Sequence, residues 1–485
     1  MKKKYGLFKV LAVLLLLIVI ATCFIKNRSG EIKYLALVDV FFNYVQSYYY
    51  FFDTALFIFA VGGFYGVLNR IPAYKKVIYG LSKKYKDKSK LFLIIVTVMF
   101  AIIASLTGFN LIMLLFIPFF VSVILLLGYD KLIALSATVG ASLVGFLGGV
   151  FVTFKDSSSQ YATTYTNFAK LAGLENMWDV KITLPVCILL VIGIVLLVIH
   201  MNQHLKEDKK DKYDLIKSDP LLVELKDKNG KKIVKNDSKA KTWPFLVVMG
   251  VMFVLLILGY IPWNTLFKIS VFNDFHTWLT GLSIGKYVVF TSLISETISA
   301  FGTWSDLGSY MMVIFLMFFF SAILVIIYRV KFDDAMDGFV YGVKKVIPAA
   351  MIAMLAYCVL VCSYNNGFIE TIITGASKKF GDNVIINSLV SMLGSVLNVD
   401  LYYTTVGVFG SITSSLPDKY NIPVYAVMYQ SMFGFVQFVG PTSLLLVASL
   451  SYLEVPYKAW LKYIWRFVVE LLIAIFILLM VVSIL

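Results

Sequence analysis

Residues 434–463 read GFVQFVGPTSLLLVASLSYLEVPYKAWLKY, and the reading of this stretch decides the architecture of the chain. It opens as an apolar membrane segment, breaks at Gly440, Pro441, Thr442 and Ser443, and resumes as apolar helix. It leaves through a Tyr/Trp/Lys belt of the kind that sits at a bilayer interface. Pro441 has no N–H and crowds the preceding turn, so a continuous helix is locally undone there. Backbone released from a helix inside lipid must bond to neighbouring protein or line a wet cavity. A Pro-Thr-Ser break at membrane depth is therefore a candidate binding site, because carriers grip solutes with discontinuous helices. The plainer alternative is a proline kink whose two hydroxyls bond back onto their own helix.

The surrounding composition supports the membrane reading. Of 485 residues, 60% are hydrophobic and 16% aromatic, and the mean hydropathy is +0.86. Soluble globular chains do not reach these values. The net charge of +15 comes from lysines in short runs between apolar segments, which read as positive-inside loops and headgroup contacts and not as a nucleic-acid surface. Cys23, Cys187, Cys358 and Cys362 all lie in apolar segments without metal-ligand spacing. Cys358 and Cys362 share a helix face, as small packing residues do. His200, His204 and His276 fall at or beyond the ends of apolar segments, and neither a metalloprotease HExxH nor a P-loop is present. The sequence therefore predicts no enzyme, no catalytic residue, no metal and no resident cofactor. The expected partners are a small-molecule substrate and the lipid bilayer, with a homodimer left open.

Hydropathy and loop charge divide the chain into about 12–13 transmembrane helices. Spans are predicted over residues 1–25, 50–69, 91–106, up to 127, 132–153 and 181–199, then 243–261, 308–328, 346–364, 384–397, 401–416, the 434–463 stretch and 464–485. Span one is read as a membrane helix and not a cleaved signal peptide, because its apolar run is long and no small-residue cleavage pair follows. Residues 34–49 are predicted to lie along the outer interface, residues 70–90 to be a basic cytoplasmic loop, and residues 262–306 to stay outside or dip into the interface. The N-terminus and the charged 201–242 linker are placed in the cytoplasm and the spans in the plasma membrane.

An internal symmetry emerges when the halves are overlaid in opposite membrane orientation. The break before Asn110 matches the break at Asn398, and Gly145-Phe146 precedes Thr153 at the interval by which Gly434-Phe435 precedes Thr442. Inverted repeats with paired interruptions point to alternating-access transport. The predicted organisation is a first transmembrane repeat over 1–200, the linker over 201–242, a connecting span and outer segment over 243–306, and a second repeat over 307–485. The fold class is an all-α polytopic membrane protein of two inverted-topology repeats with broken or re-entrant helices.

Several stretches resemble the C4-dicarboxylate anaerobic carrier (DcuC/YfcC-like) family of the ion transporter superfamily. They are GGFYGVLNRIPA (62–73), LLLGYDKLIALSATVGASLVGFLGG (125–149), FGTW (301–304), GFIETII (367–373) and VGPTSLLLVASLSYLEVPYKAWLK (439–462). The resemblance implies a secondary carrier with two broken elements meeting at a midplane site, for dicarboxylates, amino acids or small peptides. The chain departs from the family pattern at Phe109-Asn110-Leu111, at Val152-Thr153-Phe154 and over Asp400 to Thr405. Those departures predict a changed ligand.

For the site itself, Thr442 and Ser443 offer hydroxyls, and helix N–H groups opening after Pro441 favour a carboxylate. Asn110, Asn398 and Gln437 add amides, and Thr153 is the first-repeat counterpart of Thr442. Gly145, Gly148 and Gly149 would let backbone approach the solute, the plainer alternative being helix packing. Asp400, with Thr404 nearby, is the ionisable group placed to couple Na⁺ or H⁺ or to pair with a cationic amino acid. Its alternative is a helix cap near the interface. The leading reading is an ion-coupled symporter or exchanger for a small carboxylate-bearing metabolite, with an amino acid or short peptide ahead of a C4-dicarboxylate. A passive channel is the reading from another class.

Overall fold

The computed structural model describes residues 6–27, 29–107, 110–147, 180–206, 240–261, 263–289, 300–304, 310–399, 408–416 and 421–484. In chain order its first helices are α1 (Gly6–Thr22), α2 (Leu37–Leu68), α3 (Pro72–Lys84), α4 (Ser89–Thr107), α5 (Ile117–Leu126) and α6 (Lys131–Leu147). Next come α7 (Val180–Lys206), α8 (Trp243–Tyr260), α9 (Trp263–Phe267), α10 (Val271–Gly281), α11 (Met311–Ile327) and α12 (Phe332–Asn366). The last are α13 (Phe368–Phe380), α14 (Val384–Leu397), α15 (Gly410–Thr413), α16 (Ile422–Val436), α17 (Leu444–Tyr452) and α18 (Tyr457–Ile484). Among the described residues, 6 helices are long and apolar enough to cross a membrane, shorter apolar helices accompany them, and the only sheet is a 2-stranded hairpin. The protein is an all-α polytopic membrane protein.

The two longest helices form its spine. α2 and α12 run antiparallel, and glycines let their backbones touch. A Cβ on Gly338 would come within 2.6 Å of the Gly66 carbonyl oxygen, and one on Gly62 within 2.7 Å of that of Gly342. In lipid, where no hydrophobic force drives helices together, such close backbone approach supplies the packing. Polar side chains add to it: Asn43 Nδ2 donates to Cys362 Sγ at 3.3 Å, and the hydroxyls of Thr54 and Tyr357 meet at 3.2 Å. The ring of Phe51 stacks on Tyr357 with centroids 4.0 Å apart. α1 packs on α12 while α11 packs on α2, so the seam carries one further helix on each of its two members.

The structure revises several boundaries. Residues 37–49 open α2 and meet the span that follows at a non-helical kink at Phe51 (φ −126°, ψ 26°), where two helical pieces join. The basic piece before residue 346 is likewise continuous with the following span in α12, with Pro348 inside the helix. Both amphipathic halves pack in the antiparallel seam, Asn43 against Cys362 and Gly338 against Gly66. The basic 70–90 loop contains α3, which opens with Pro72 in its first turn, where the missing N–H costs nothing. α13 is a further helix that hydropathy missed, because its apolar residues occupy one face only. Where an uninterrupted fourth span is predicted, the chain makes a 3-10 turn over Leu111–Leu115 and then the 10-residue α5. The fifth carries a π turn over Ser136–Gly140. The sixth runs past residue 199 to Lys206, so His200 and His204 lie within α7. The 434–463 stretch belongs to three helices, because α16 already begins at Ile422.

Two connections fix the faces of the membrane. The Lys76 ammonium donates to the Ala240 carbonyl at 3.2 Å, so α3 and the end of the 201–242 linker share one lysine-rich face. Between α8 and α11 the chain forms α9, α10 and the hairpin. Trp304 of the FGTW motif covers Gly259, whose missing side chain makes room for the indole.

Candidate functional site

The site is built around the gap between α16 and α17. Helical bonding carries as far as Gly440, whose N–H donates to Val436 O at 2.6 Å, and Ser443 N–H reaches Gly440 O at 3.2 Å. Pro441 cannot donate, so the α16 path ends there. The freed carbonyls are taken up by the following helix: Trp460 Nε1 donates to Phe438 O at 2.9 Å, and the Tyr457 hydroxyl donates to Val439 O. These aromatics are the belt that the sequence places at the interface. Trp460 is instead fully buried, because α18 folds back across the break and satisfies carbonyls that lipid could not.

Neither hydroxyl of the break bonds back onto its own helix. Thr442 Oγ1 donates to Val396 O at 2.7 Å and lies 3.4 Å from Asn398 O, clasping the end of α14. The interruptions at Asn398 and Pro441 are therefore joined. Ser443 occupies the N-cap of α17 without capping it, which leaves the N–H groups of that helix's first turn without a side-chain acceptor there.

Several polar atoms at the site have no partner among the described residues although they are buried. They are Gln437 Nε2 and Oε1, Ser443 Oγ and Asn110 Oδ1. Gln437 is 1% exposed and Ser443 0%. Leaving a buried polar group unpaired costs about 1–3 kcal/mol. These groups stand on either side of the proline, where a polar ligand or ordered water can bond to them.

The remaining predicted residues fall in distinct places. Asn398 lies beside Thr442, but its Nδ2 turns back to Gly394 O at 3.0 Å and closes α14. Asn110 (φ −90°, ψ −97°) is non-helical and opens the Leu111–Leu115 turn. That turn packs against α17, which brings the first repeat's break to the second's. Gly145 faces α4, where a Cβ would come within 2.6 Å of Ala101 O. Gly148, Gly149, Thr153, Asp400 and Thr404 lie outside the described residues. One functional contact was not foreseen: Gln430 Nε2 donates to Phe146 O at 2.8 Å. With Gly434 pressed against Leu147, it joins the two Gly-Phe pairs that sequence symmetry had set in parallel. A glutamine one helical turn before Gly434 was the available signal.

On the lysine-rich face the repeats are latched. The buried Lys131 ammonium donates to Leu453 O at 2.7 Å, where α17 ends, and Ser136 Oγ donates to the Tyr463 hydroxyl at 3.0 Å. Asp130 caps α6 by accepting from Ile133 N at 2.7 Å, and its other oxygen lies 3.1 Å from His204 Nε2.

An all-α polytopic membrane protein whose helix breaks at Asn398 and Pro441 are joined has discontinuous helices of the kind carriers use. Residues 25–484 match the family described as C4-dicarboxylate anaerobic carrier, and the chain belongs to that family. An uncharacterized protein of Haemophilus influenzae is 23% identical over 423 residues, covering 85% of this chain and 72% of the relative. No solved structure matches the chain.

Proposed function

We propose that the protein is a secondary active transporter that moves a small carboxylate-bearing metabolite across the plasma membrane by alternating access. The observation that carries this reading is the set of buried, unpartnered polar atoms around the Pro441 break. Gln437 and Ser443 bind the cargo, the α17 N-terminus faces its carboxylate, and Thr442 holds α14 and the break together as one moving part. Asp400 and Thr404 carry the coupling ion, Na⁺ or H⁺, and Gly148, Gly149 and Thr153 complete the first repeat's side.

The family's description puts C4-dicarboxylates first among cargoes. A second reading, an amino acid or short peptide, draws on the neutral character of the break, where residues 437–443 contain no charged side chain. One helix N-terminus and neutral amides recognise a single carboxylate well, and a second carboxylate needs a second positive end.

Counterflow in proteoliposomes containing the purified full chain decides among the alternatives. Vesicles loaded with succinate are expected to accelerate saturable uptake of labelled succinate. Acceleration by loaded amino acids and not by succinate would reverse the order of cargoes. Flux that rises linearly with concentration and shows no trans-stimulation would remove the carrier mechanism in favour of a channel.

A further inference from the structure

α14 is built inside out. Its lipid side is apolar, with Ile385, Leu389 and Leu393 all about half exposed, while Asn387, Ser388, Ser391 and Ser395 are fully buried on the opposite face and lead to Asn398. At 100° per residue these positions form one stripe along the helix. Serines are common where membrane helices pack, so the stripe counts only together with an unpartnered group on it. The matching helix of the first repeat makes the contrast. Counting back from Asn110 as from Asn398, α4 carries Met99, Phe100 and Ile103 where α14 carries Asn387, Ser388 and Ser391, and only Thr107, opposite Ser395, is polar in both.

Most of the stripe is bonded, but not all of it. Ser388 and Ser395 donate to Val384 O and Ser391 O, at 2.7 and 2.8 Å. Asn387 accepts from Ser377 Oγ at 3.0 Å and donates to Gly381 O at 3.0 Å, with the Tyr425 hydroxyl 3.3 Å away. Ser391, midway, is fully buried, and its Oγ has no partner. The stripe ends at the break, where Thr442 clasps Val396 O and where Gln437 and Ser443 hold their own unpartnered atoms.

The other end lies at the membrane face opposite the lysine-rich one. α12 runs antiparallel to α2 and so ends on that face, where Lys33 Nζ donates to Asn365 O at 3.4 Å. α13, at 13 residues, spans only about 20 Å and cannot cross the roughly 30 Å hydrocarbon core. Val384 therefore starts on the same face, beside the exposed Lys378, Lys379 and Asp382. Two lysines at the head of a polar stripe raise the local concentration of a carboxylate.

We infer that the polar face of α14 walls the route by which carboxylate cargo and its water pass between this membrane face and the Pro441 break, with Ser391 as the intermediate hydrogen-bonding station. The inference rests on the carrier reading for its cargo, but the route itself is tested without transport. In full-length protein with Cys23, Cys187, Cys358 and Cys362 replaced by alanine, Ser391→Cys and Ser395→Cys are introduced singly. Ile103→Cys on α4 and Leu389→Cys on the lipid side serve as references. Variants that elute as one species are exposed in sealed vesicles of known orientation to a negatively charged, membrane-impermeant methanethiosulfonate.

Ser391→Cys and Ser395→Cys are expected to label at least tenfold faster than both references, from the face of Lys378, and succinate is expected to slow them. Labelling of both no faster than Ile103→Cys overturns the route, and so does labelling only from the lysine-rich face. Rapid labelling in a protein that shows no succinate counterflow leaves the route standing and removes the carrier reading, so the two failures are distinguishable.

Discussion

The seam between α2 and α12 and the break between α16 and α17 both bring distant parts of the chain together, yet they are built oppositely. At the seam, glycines remove side chains so that backbone meets backbone, and Asn43 and Thr54 find partners across it. At the break, backbone carbonyls are capped by Trp460 and Tyr457 while the side chains of Gln437 and Ser443 are left unpaired. A dry, saturated contact resists change. A contact with unused hydrogen-bonding capacity holds stability in reserve for a ligand. The comparison assigns the fixed frame to α2 and α12 and the responsive part to the break.

The largest effect is expected at the seam. Gly338→Leu places a side chain against the Gly66 carbonyl, where even a Cβ is at 2.6 Å. The helices must separate, at a cost of about 3 kcal/mol or more. Size-exclusion profiles in detergent should show loss of the monodisperse peak. A normally folded, active Gly338→Leu protein would dissolve the distinction between frame and break.

At the break the expected signs differ. Gln437→Leu removes two buried unpaired atoms and should raise the thermal midpoint, by about 1–3 kcal/mol in stability. It should also lower succinate counterflow tenfold or more and abolish any ligand-induced thermal shift. Thr442→Val removes the hydroxyl that clasps Val396 and should lower stability by about 1–3 kcal/mol, since it leaves a carbonyl unpaired. A Gln437→Leu protein less stable than the parent, with uptake intact, would show the amide to be structural.

Trp460→Phe tests the carbonyl caps. It keeps an aromatic ring but loses part of the indole's volume and the N–H on Phe438 O, so about 2 kcal/mol or more of stability should disappear. Cargo binding should weaken less than in Gln437→Leu, because the variant loosens the break without removing a ligand contact.

Much of this division was legible in the sequence, for a physical reason. Pro441 forbids a continuous helix whatever surrounds it, and the basic runs set loop sides independently of packing. Asn110 and Asn398 were found because breaks in apolar helices need polar neighbours. What stayed hidden depends on the third dimension. Trp460 and Tyr457 have the composition of an interface belt, and only the return of α18 across the break turns them inward. The segment 34–49 reads as amphipathic, but its polar Asn43 faces Cys362 of another helix 319 residues away. The stripe on α14 shows in the spacing of Asn387, Ser391, Ser395 and Asn398, yet without α4 beside it the serines resemble ordinary small packing residues.

The smallest effect lies outside both regions, at the turn that starts α6, and it sets the scale against which the others are judged. Asp130 has two tasks: one oxygen caps the helix by accepting from Ile133 N, and the other meets His204. Asparagine keeps the cap and loses the charge, whereas alanine loses both. The pair is partly exposed, with side chains 18% and 24% accessible, and such contacts are worth about 0–1 kcal/mol because water screens them. A lost N-cap costs typically about 1 kcal/mol. Asp130→Asn should therefore lie within a few tenths of a kcal/mol of the parent and Asp130→Ala about 1 kcal/mol below it, with succinate counterflow unchanged within twofold in both. Equal destabilisation by the two substitutions would mean that the His204 contact, and with it the latch on the lysine-rich face, carries more of the closed arrangement than the capping geometry allows. In that case the fixed frame would extend from the seam to this turn.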